Sequence, residues 1–380
     1  MSRIVNGRLV TPAGVLDGGT VETDGGRITA VDPGPADRRL DDLDVDGSWV
    51  LPGFIDLHVH GGGGHDMGAS ADDLRAAVAF HQAHGTTRTL VSLVTAPVDL
   101  LERQLADVAQ LVGEPGVQVI GSHLEGPFLS EIRCGAQNPA YLIEPDREVF
   151  ERLAAAADGT LRVLTIAPEL PHALEVIQAC CDAKVVVALG HSDATYDEAW
   201  RAIDAGAGLA THLFNGMRPV HHREPGLVSA LLESHLPCEL VNDGVHLHPG
   251  IVRLAAEDPS RPVFITDAID ATGMGDGAYE LGGQQVRVRN GQARLVSNDA
   301  LAGSTLTMDA AVRRAVANGI PIERASAAAS QNPARVLGMD DQVGRIAPGL
   351  AADLVVLDGD LRVQRVMVAG QWVQDPPAPD

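Results

Sequence analysis

The sequence predicts an α/β protein: a (β/α)8 TIM-like barrel with a small β-sandwich domain formed by both termini. Three observations predict it. Eight short apolar runs alternate with helical stretches between about residues 50 and 270, both ends are β-rich and broken by turn residues, and polar side chains recur where the apolar runs finish. At 380 residues the chain exceeds the roughly 250–300 at which single cores stop growing, so two structural parts are expected.

The first fifty residues read as short strands, RIVNGRLV, GTVETDGGRITAVD and DVDGSWVLPG, with Asn-Gly, Asp-Gly and Gly-Gly as hairpin signals. The last forty repeat the pattern in GRIAPGLAADLVVLDGDLRVQRVMVAGQWV. Each end is too small to fold well alone, so residues 1–52 and 346–380 are expected to pair into one small domain, leaving 53–345 as the main one. The eight runs are WVLPGFID, TTRTLVSLV, VQVIGSHLEG, LRVLTIAPE, KVVVALGHS, AGLATHLFN, CELVNDGVH and PVFITDA. Segments such as ADDLRAAVAFHQAHG and PDREVFERLAAAADG supply the intervening helices, and eight buried strands is the number that closes a barrel. The stretch 277–298 reads as an inserted hairpin, and helices after Thr305 complete the ring.

Composition narrows the function. A net charge of −23, from 28 Lys+Arg against 51 Asp+Glu, repels a phosphate backbone, so nucleic acid is not an expected partner. No apolar stretch approaches the roughly 20 residues that span a bilayer, and MSRIVNGRLV lacks the regions of a signal peptide; a cytoplasmic protein without membrane attachment is expected. Cys134, Cys180, Cys181 and Cys238 have no CxxC spacing and read as reduced thiols.

The ends of the runs carry the chemistry. Run one ends in Asp56, His58 and His60, run three in His123 and Glu125, run five in His191, run six in His212 and Asn215, run seven in Asp243 and His246, and run eight in Asp267. In such a barrel the C-terminal strand ends form one rim around one pocket. A lone buried histidine at a strand end is more often a hydrogen-bonded structural residue. Several histidines and carboxylates on one rim would each need a buried partner, whereas one divalent ion satisfies several together. His58 and His60 are two apart on a strand end and face the same side. The chain's one lysine, Lys184, lies at the beginning of run five on the opposite rim, which excludes a carbamylated-lysine bridge and leaves Glu125 to bridge. Gly61 to Gly64 have no GK[ST] after them and read as a flexible active-site loop; His221 and His222 read as solvated.

PGFIDLHVHG and APGLAADLVVLD resemble the opening and closing segments of the amidohydrolase superfamily, and HLEGPF, LGHS, THLFNGM, REPGL, DGVHLHP, TDA and LAGS resemble its N-acetylglucosamine-6-phosphate deacetylase family over nearly the whole chain. The resemblance implies that Glu125, His191 and His212 hold a divalent metal, with a second ion at His58, His60, Glu125 and Asp267: zinc first, with Fe2+, Mn2+, Co2+ and Cd2+ as alternatives, and one or two ions per subunit. It implies Asp267 as the proton-transfer residue and His246 as a substrate contact near the acetamide. Asn215, Gly216 and Arg223 match residues that bind the sugar phosphate, and Leu301, Ala302 and Gly303 match a substrate-lining stretch. In IRCGAQNP, Gln137 follows Ala136 where many members carry histidine; Gln donates a hydrogen bond but carries no charge. The implied partner is a small phosphorylated amino sugar, and the implied assembly a homodimer. Two other readings stay open: an amidohydrolase for another small N-acyl substrate, and a metal-binding protein without catalysis.

Overall fold

The computed structural model describes residues 2–34 and 39–373. The eight apolar runs form eight parallel strands whose order in the sheet is their order in the chain: Phe54–Asp56, Thr86–Val94, Val119–Glu125, Leu161–Ile166, Val186–Leu189, Leu209–Ala210, Cys238–Val241 and Pro262–Ile265. Sequential order with helical crossovers is what repeated βα units produce. Past the first and eighth strands, the Asp267 amide donates to the His58 carbonyl and the His60 amide to the Ala268 carbonyl, both at 2.8 Å, so the two edges of the sheet meet. Most strand residues are fully buried, as a sheet packed on both faces requires.

The helices begin where local chemistry starts them. Asp146 caps Arg147–Ala156 by accepting from the amides of Glu148 and Val149, and Thr195 with Glu198 forms a capping box on Tyr196–Asp204. Met308–Ala317, Ile322–Ala329 and Gln331–Val336 follow the barrel strands. Among the described residues no helix is long and apolar enough to cross a membrane.

Both termini contribute to a second, mostly antiparallel sheet, in which Trp49–Pro52 lies between Ser2–Thr11 and Leu354–Leu357. The run WVLPGFID is thus shared between sheets, its first half here and its second half in the barrel. Ile4, Leu9, Val21, Val50, Leu354, Val356 and Met367 pack one core from the two chain ends. Asn6-Gly7, expected as a hairpin signal, lies inside Ser2–Thr11: the pairing register shifts on either side of Gly7, so the two residues make an irregularity in a continuous strand.

The stretch expected as a hairpin holds three antiparallel strands, Gly277–Leu281, Gln284–Arg289 and Gln292–Leu295. The third forms because Ala293 and Leu295 join Leu281, Val286 and Val288 in a small core that also takes Ile269, Ala271 and Ala302. By internal contacts the chain divides into two compact units, Met1–Asp56 with Ala79–Arg88 and Thr307–Asp380, and Leu57–Val78 with Thr89–Leu306. Every residue to which the family resemblance gives a site role belongs to the second.

Candidate active site

The strand ends place their polar residues at two depths. His123 and Glu125, two apart, share a face of the third strand, and Glu125 is level with Val94 and Thr165 on the neighbouring strands. His123 is one step deeper. Its Nδ1 lies 2.9 Å from the Ser92 hydroxyl and its Nε2 2.8 Å from the Thr165 hydroxyl, so both ring nitrogens are used within the protein. Burial, with His58 adding to it, holds its pKa well below the ordinary value, and the ring is neutral.

Four other histidines behave differently. The Nδ1 of His60, His191 and His212 faces the backbone carbonyl of Ser92 (3.1 Å), Arg133 (2.8 Å) and Asn215 (3.1 Å), and the Nδ1 of His58 faces the Glu239 carboxylate (3.1 Å). Such acceptors carry no proton, so each Nδ1 donates and each Nε2 turns inward. The Nε2 atoms of His58 and His60 are 3.1 Å apart, and those of His191 and His212 are 3.0 Å apart. Nitrogens about 2.0–2.1 Å from one tetrahedral ion would stand roughly 3.3–3.4 Å apart, close to this spacing. Glu125 joins both pairs: one carboxylate oxygen is 3.0 Å from His191 Nε2, 3.1 Å from His212 Nε2 and 3.5 Å from His58 Nε2, and the other is 3.3 Å from His60 Nε2. His58, His60 and Glu125 form one potential ligand group, and Glu125, His191 and His212 a second. This donor set fits divalent metal. Asp267 stands beside the first group, its Oδ1 3.3 Å from His60 Nε2 and 3.6 Å from His58 Nε2.

Electrostatics points the same way. Burial opposes ionisation of Glu125, yet the surrounding histidines hold its pKa well below the usual carboxylate value. Asp267 is lowered for the same reason, with the His60 hydrogen bond prevailing over burial. Burial likewise opposes charge on His60, but Asp267 and Glu125 raise it to about 9. The two carboxylates therefore favour positive charge between them, which a divalent ion would supply in place of protons.

The backbone is strained where it aims these ligands. His191, His212 and Asp267 have φ of 45°, 25° and 51°, a region that costs a non-glycine residue about 1–3 kcal/mol and clusters at functional sites. Neighbours hold it: the Glu239 carboxylate accepts the His212 amide at 3.2 Å, and the Asp267 carbonyl accepts the Ser304 amide at 2.6 Å. Two glycines are required by close approach. A Cβ on Gly216 (φ 58°) would lie 2.9 Å from His191 Nδ1, and one on Gly303 (φ 61°) 2.7 Å from the Asp267 carbonyl oxygen.

A cavity of about 240 Å³ opens on the ligand groups, lined among others by Ala136, Gln137, Asn215, Gly216, His246 and Leu301. It is smaller than the roughly 300–1,000 Å³ of ordinary ligand pockets, so it accepts one small molecule. Gln137 donates to Glu125 at 2.6 Å and accepts the Thr95 amide at 2.8 Å, which fixes it as a neutral prop for the shared carboxylate. Asp243 holds His246: its Oδ2 is 2.7 Å from Nδ1 while Oδ1 takes two backbone amides. Burial lowers the His246 pKa, but this carboxylate overrides it and raises the net value.

Three of the residues predicted to bind substrate, Arg223, Ala302 and Gly303, do not line the cavity. Arg223 is exposed and lines a separate cavity of about 500 Å³ with Thr195, Tyr196 and Arg218. The loop 218–225 directs its guanidinium toward His222, so within one chain it does not reach the ligand groups. Ala302 packs in the core of the insert, and Gly303 backs Asp267. Lys184 is exposed and precedes the fifth strand, opposite His191. Sequence reasoning missed Glu239, whose signal is a carboxylate inside the otherwise apolar CELV strand, and missed Leu281 and Ala300, which line the cavity from the insert.

Metal-assisted hydrolysis on a (β/α)8 rim is the class that this fold and ligand set define. Residues 49–373 match the amidohydrolase family, and the chain belongs to it. It is 40% identical over 370 residues to the N-acetylgalactosamine-6-phosphate deacetylase of Escherichia coli O157:H7, covering 96% of this chain and 97% of that protein. It is 37% identical over 369 residues to the N-acetylglucosamine-6-phosphate deacetylase of Bos taurus, covering 92% and 90%. The crystal structure of N-acetyl-D-glucosamine-6-phosphate deacetylase from Mycobacterium smegmatis superposes with a TM-score of 0.94 at 43% identity, over 98% of this chain and 100% of that one. An aspartate-to-alanine variant of that enzyme, in complex with N-acetyl-D-glucosamine-6-phosphate, superposes with a TM-score of 0.93 at 44% identity, over 98% of each chain.

Proposed function

We propose that this hydrolase removes the acetyl group from N-acetyl-D-glucosamine 6-phosphate, leaving D-glucosamine 6-phosphate and acetate, as a step of amino-sugar catabolism. The observation that carries the reading is the pair of histidine groups sharing Glu125, with Asp267 beside them at the floor of a small cavity. His58, His60, Glu125 and Asp267 would hold one ion, and Glu125, His191 and His212 the other. Zinc suits this set of imidazole and carboxylate donors. A divalent ion held there supplies Lewis acidity, which makes water a competent nucleophile near neutral pH and polarises a carbonyl.

The chain's own residues do the rest. Asp267, ionised at neutral pH, accepts the proton of the attacking water and returns it to the departing amine, serving as base and then acid. His246, kept protonated to higher pH by Asp243, donates to the oxygen on which negative charge develops. Asn215, Gly216 and Ala136 line the sugar, and Leu301 closes its apolar side. Among the described residues no arginine or lysine lines the cavity, and Arg223 lines another one, so a second copy of the chain is needed for the phosphate contact that the family resemblance gives Arg223. The homodimer expected from the same resemblance offers a second copy as its source. The four cysteines are unpaired, which suits a cytoplasmic enzyme acting on a phosphorylated metabolite.

Acetate release from N-acetylglucosamine 6-phosphate, its 4-epimer N-acetylgalactosamine 6-phosphate and unphosphorylated N-acetylglucosamine tests the reading. The highest kcat/KM is expected on the first. Preference for the 4-epimer would reassign the sugar, and equal rates with and without phosphate would remove the phosphate from the proposal.

A further inference from the structure

We propose that Glu239 is a positioning residue that sets the geometry of both histidine groups at once, a role that rests on the metal-binding reading above. Glu239 lies on the seventh strand, Cys238–Val241, with no solvent exposure. One carboxylate oxygen, Oε2, lies 3.1 Å from His58 Nδ1 and 3.2 Å from the backbone nitrogen of His212. These partners belong to different groups: His58 to the one completed by His60, and His212 to the one completed by His191. Glu125 joins the two groups from the cavity side; Glu239 joins them from the barrel interior.

The two contacts do different work. Accepting a hydrogen bond from Nδ1–H of His58 fixes that ring's tautomer and rotation, so Nε2 faces His60 and Glu125, as outer carboxylates do for metal-binding imidazoles. Accepting a hydrogen bond from the His212 amide holds a backbone with φ of 25°, a conformation that aims the ring at His191 and that a histidine does not adopt cheaply. Glu239 Oε1 has no hydrogen-bond partner among the described residues. A fully buried carboxylate with one bare oxygen carries a desolvation cost, so its burial is by itself weak evidence for a role in fold stability alone. Ions held by the two groups would account for a further buried carboxylate beside Glu125 and Asp267.

The test titrates metal-free wild type, Glu239→Gln and Glu239→Leu with Zn2+ against a chelator, and records the melting temperature of each protein without metal. Glu239→Gln keeps an acceptor oxygen but no charge; Glu239→Leu removes both. Zn2+ affinity is expected to fall about 10–100-fold in both binding steps, further in the Leu variant; without metal, the Gln variant, which keeps an acceptor for the His212 amide, is expected to melt close to wild type, and the Leu variant, which leaves the His58 Nδ1–H and the His212 amide unpaired, to melt lower. Wild-type affinity in both variants, or a loss confined to one step, overturns the inference and leaves the metal reading standing. A lowered metal-free melting temperature with unchanged affinity overturns it as well, since Glu239 would then serve the fold alone. Wild-type protein that binds no Zn2+ overturns both readings.

Discussion

Replacing Asp267 by Asn separates proton transfer from metal binding and from substrate binding. The side chain is buried, and its Oδ1 stands 3.3 Å from His60 Nε2 and 3.6 Å from His58 Nε2. Asn reproduces the shape and one acceptor, so the strained turn at φ 51° and the backbone bonds to His58 and Ser304 are retained. What is lost is an ionised oxygen able to take a proton at neutral pH. General-base catalysis contributes about 10²–10⁴-fold, so kcat is expected to fall by that factor, about 2.7–5.5 kcal/mol of activation free energy. Removing one negative charge also weakens the first ligand group. The group formed by Glu125, His191 and His212 makes no contact with Asp267 in the pairs described and keeps its ion. The assay is steady-state acetate release, with metal content and substrate affinity measured on the same preparation. Near wild-type turnover refutes the assignment. A loss of turnover fully reversed by added metal also refutes it, because Asp267 would then act only as a ligand.

Three further outcomes follow from the geometry. Burial lowers the pKa of His246 but the Asp243 carboxylate raises it above the ordinary value, so the imidazolium persists to higher pH and is lost as pH rises through that raised value; Asp243→Asn should shift the alkaline limb of the kcat/KM profile to lower pH, and an unmoved limb would dissociate the pair from catalysis. Gly216→Ala places a Cβ 2.9 Å from His191 Nδ1 and 3.3 Å from the Arg133 carbonyl, wedging into their 2.8 Å hydrogen bond at a backbone that itself costs alanine about 1–2 kcal/mol; Zn2+ affinity of the second group should fall at least about tenfold, and calorimetric titration checks it. Burial opposes ionisation of Asp309, yet His84, Thr307 and Arg313 hold its pKa down at about 2, so its stabilisation is present above the ordinary value of 3.8 and is lost as pH falls toward 2. Asp309→Asn should therefore cost on the order of 2 kcal/mol at pH 7, with the gap to wild type narrowing between about pH 4 and pH 2 in denaturant titrations.

The barrel was legible because each apolar run carries its own local signal, a short stretch of buried residues closed by a polar one, and strand order then follows from βα repetition. His58 and His60 were legible together for a similar reason, being two apart at one strand end. Glu239 was not, since a lone glutamate in CELV acquires meaning only when barrel closure brings it to His58, 181 residues away, and to the His212 amide, 27 away. His123 presented the same signal as the ligands but sits one step deeper, where Ser92 and Thr165 occupy both its nitrogens. Arg223 matched a phosphate-binding motif, but motif and place are separate matters: the loop that carries it faces another cavity. Asn6-Gly7 has the composition of a turn, and pairing on both sides of it keeps the strand continuous.

The central claim is that ions held by the two histidine groups around Glu125 make this cavity a deacetylase. Titrating Zn2+ into the metal-free protein while following acetate release from N-acetylglucosamine 6-phosphate tests it most directly. No turnover before metal is added, and a rise that levels off at two ions per chain, one for each ligand group, is the predicted result. Full turnover by protein shown to contain no metal would contradict the account.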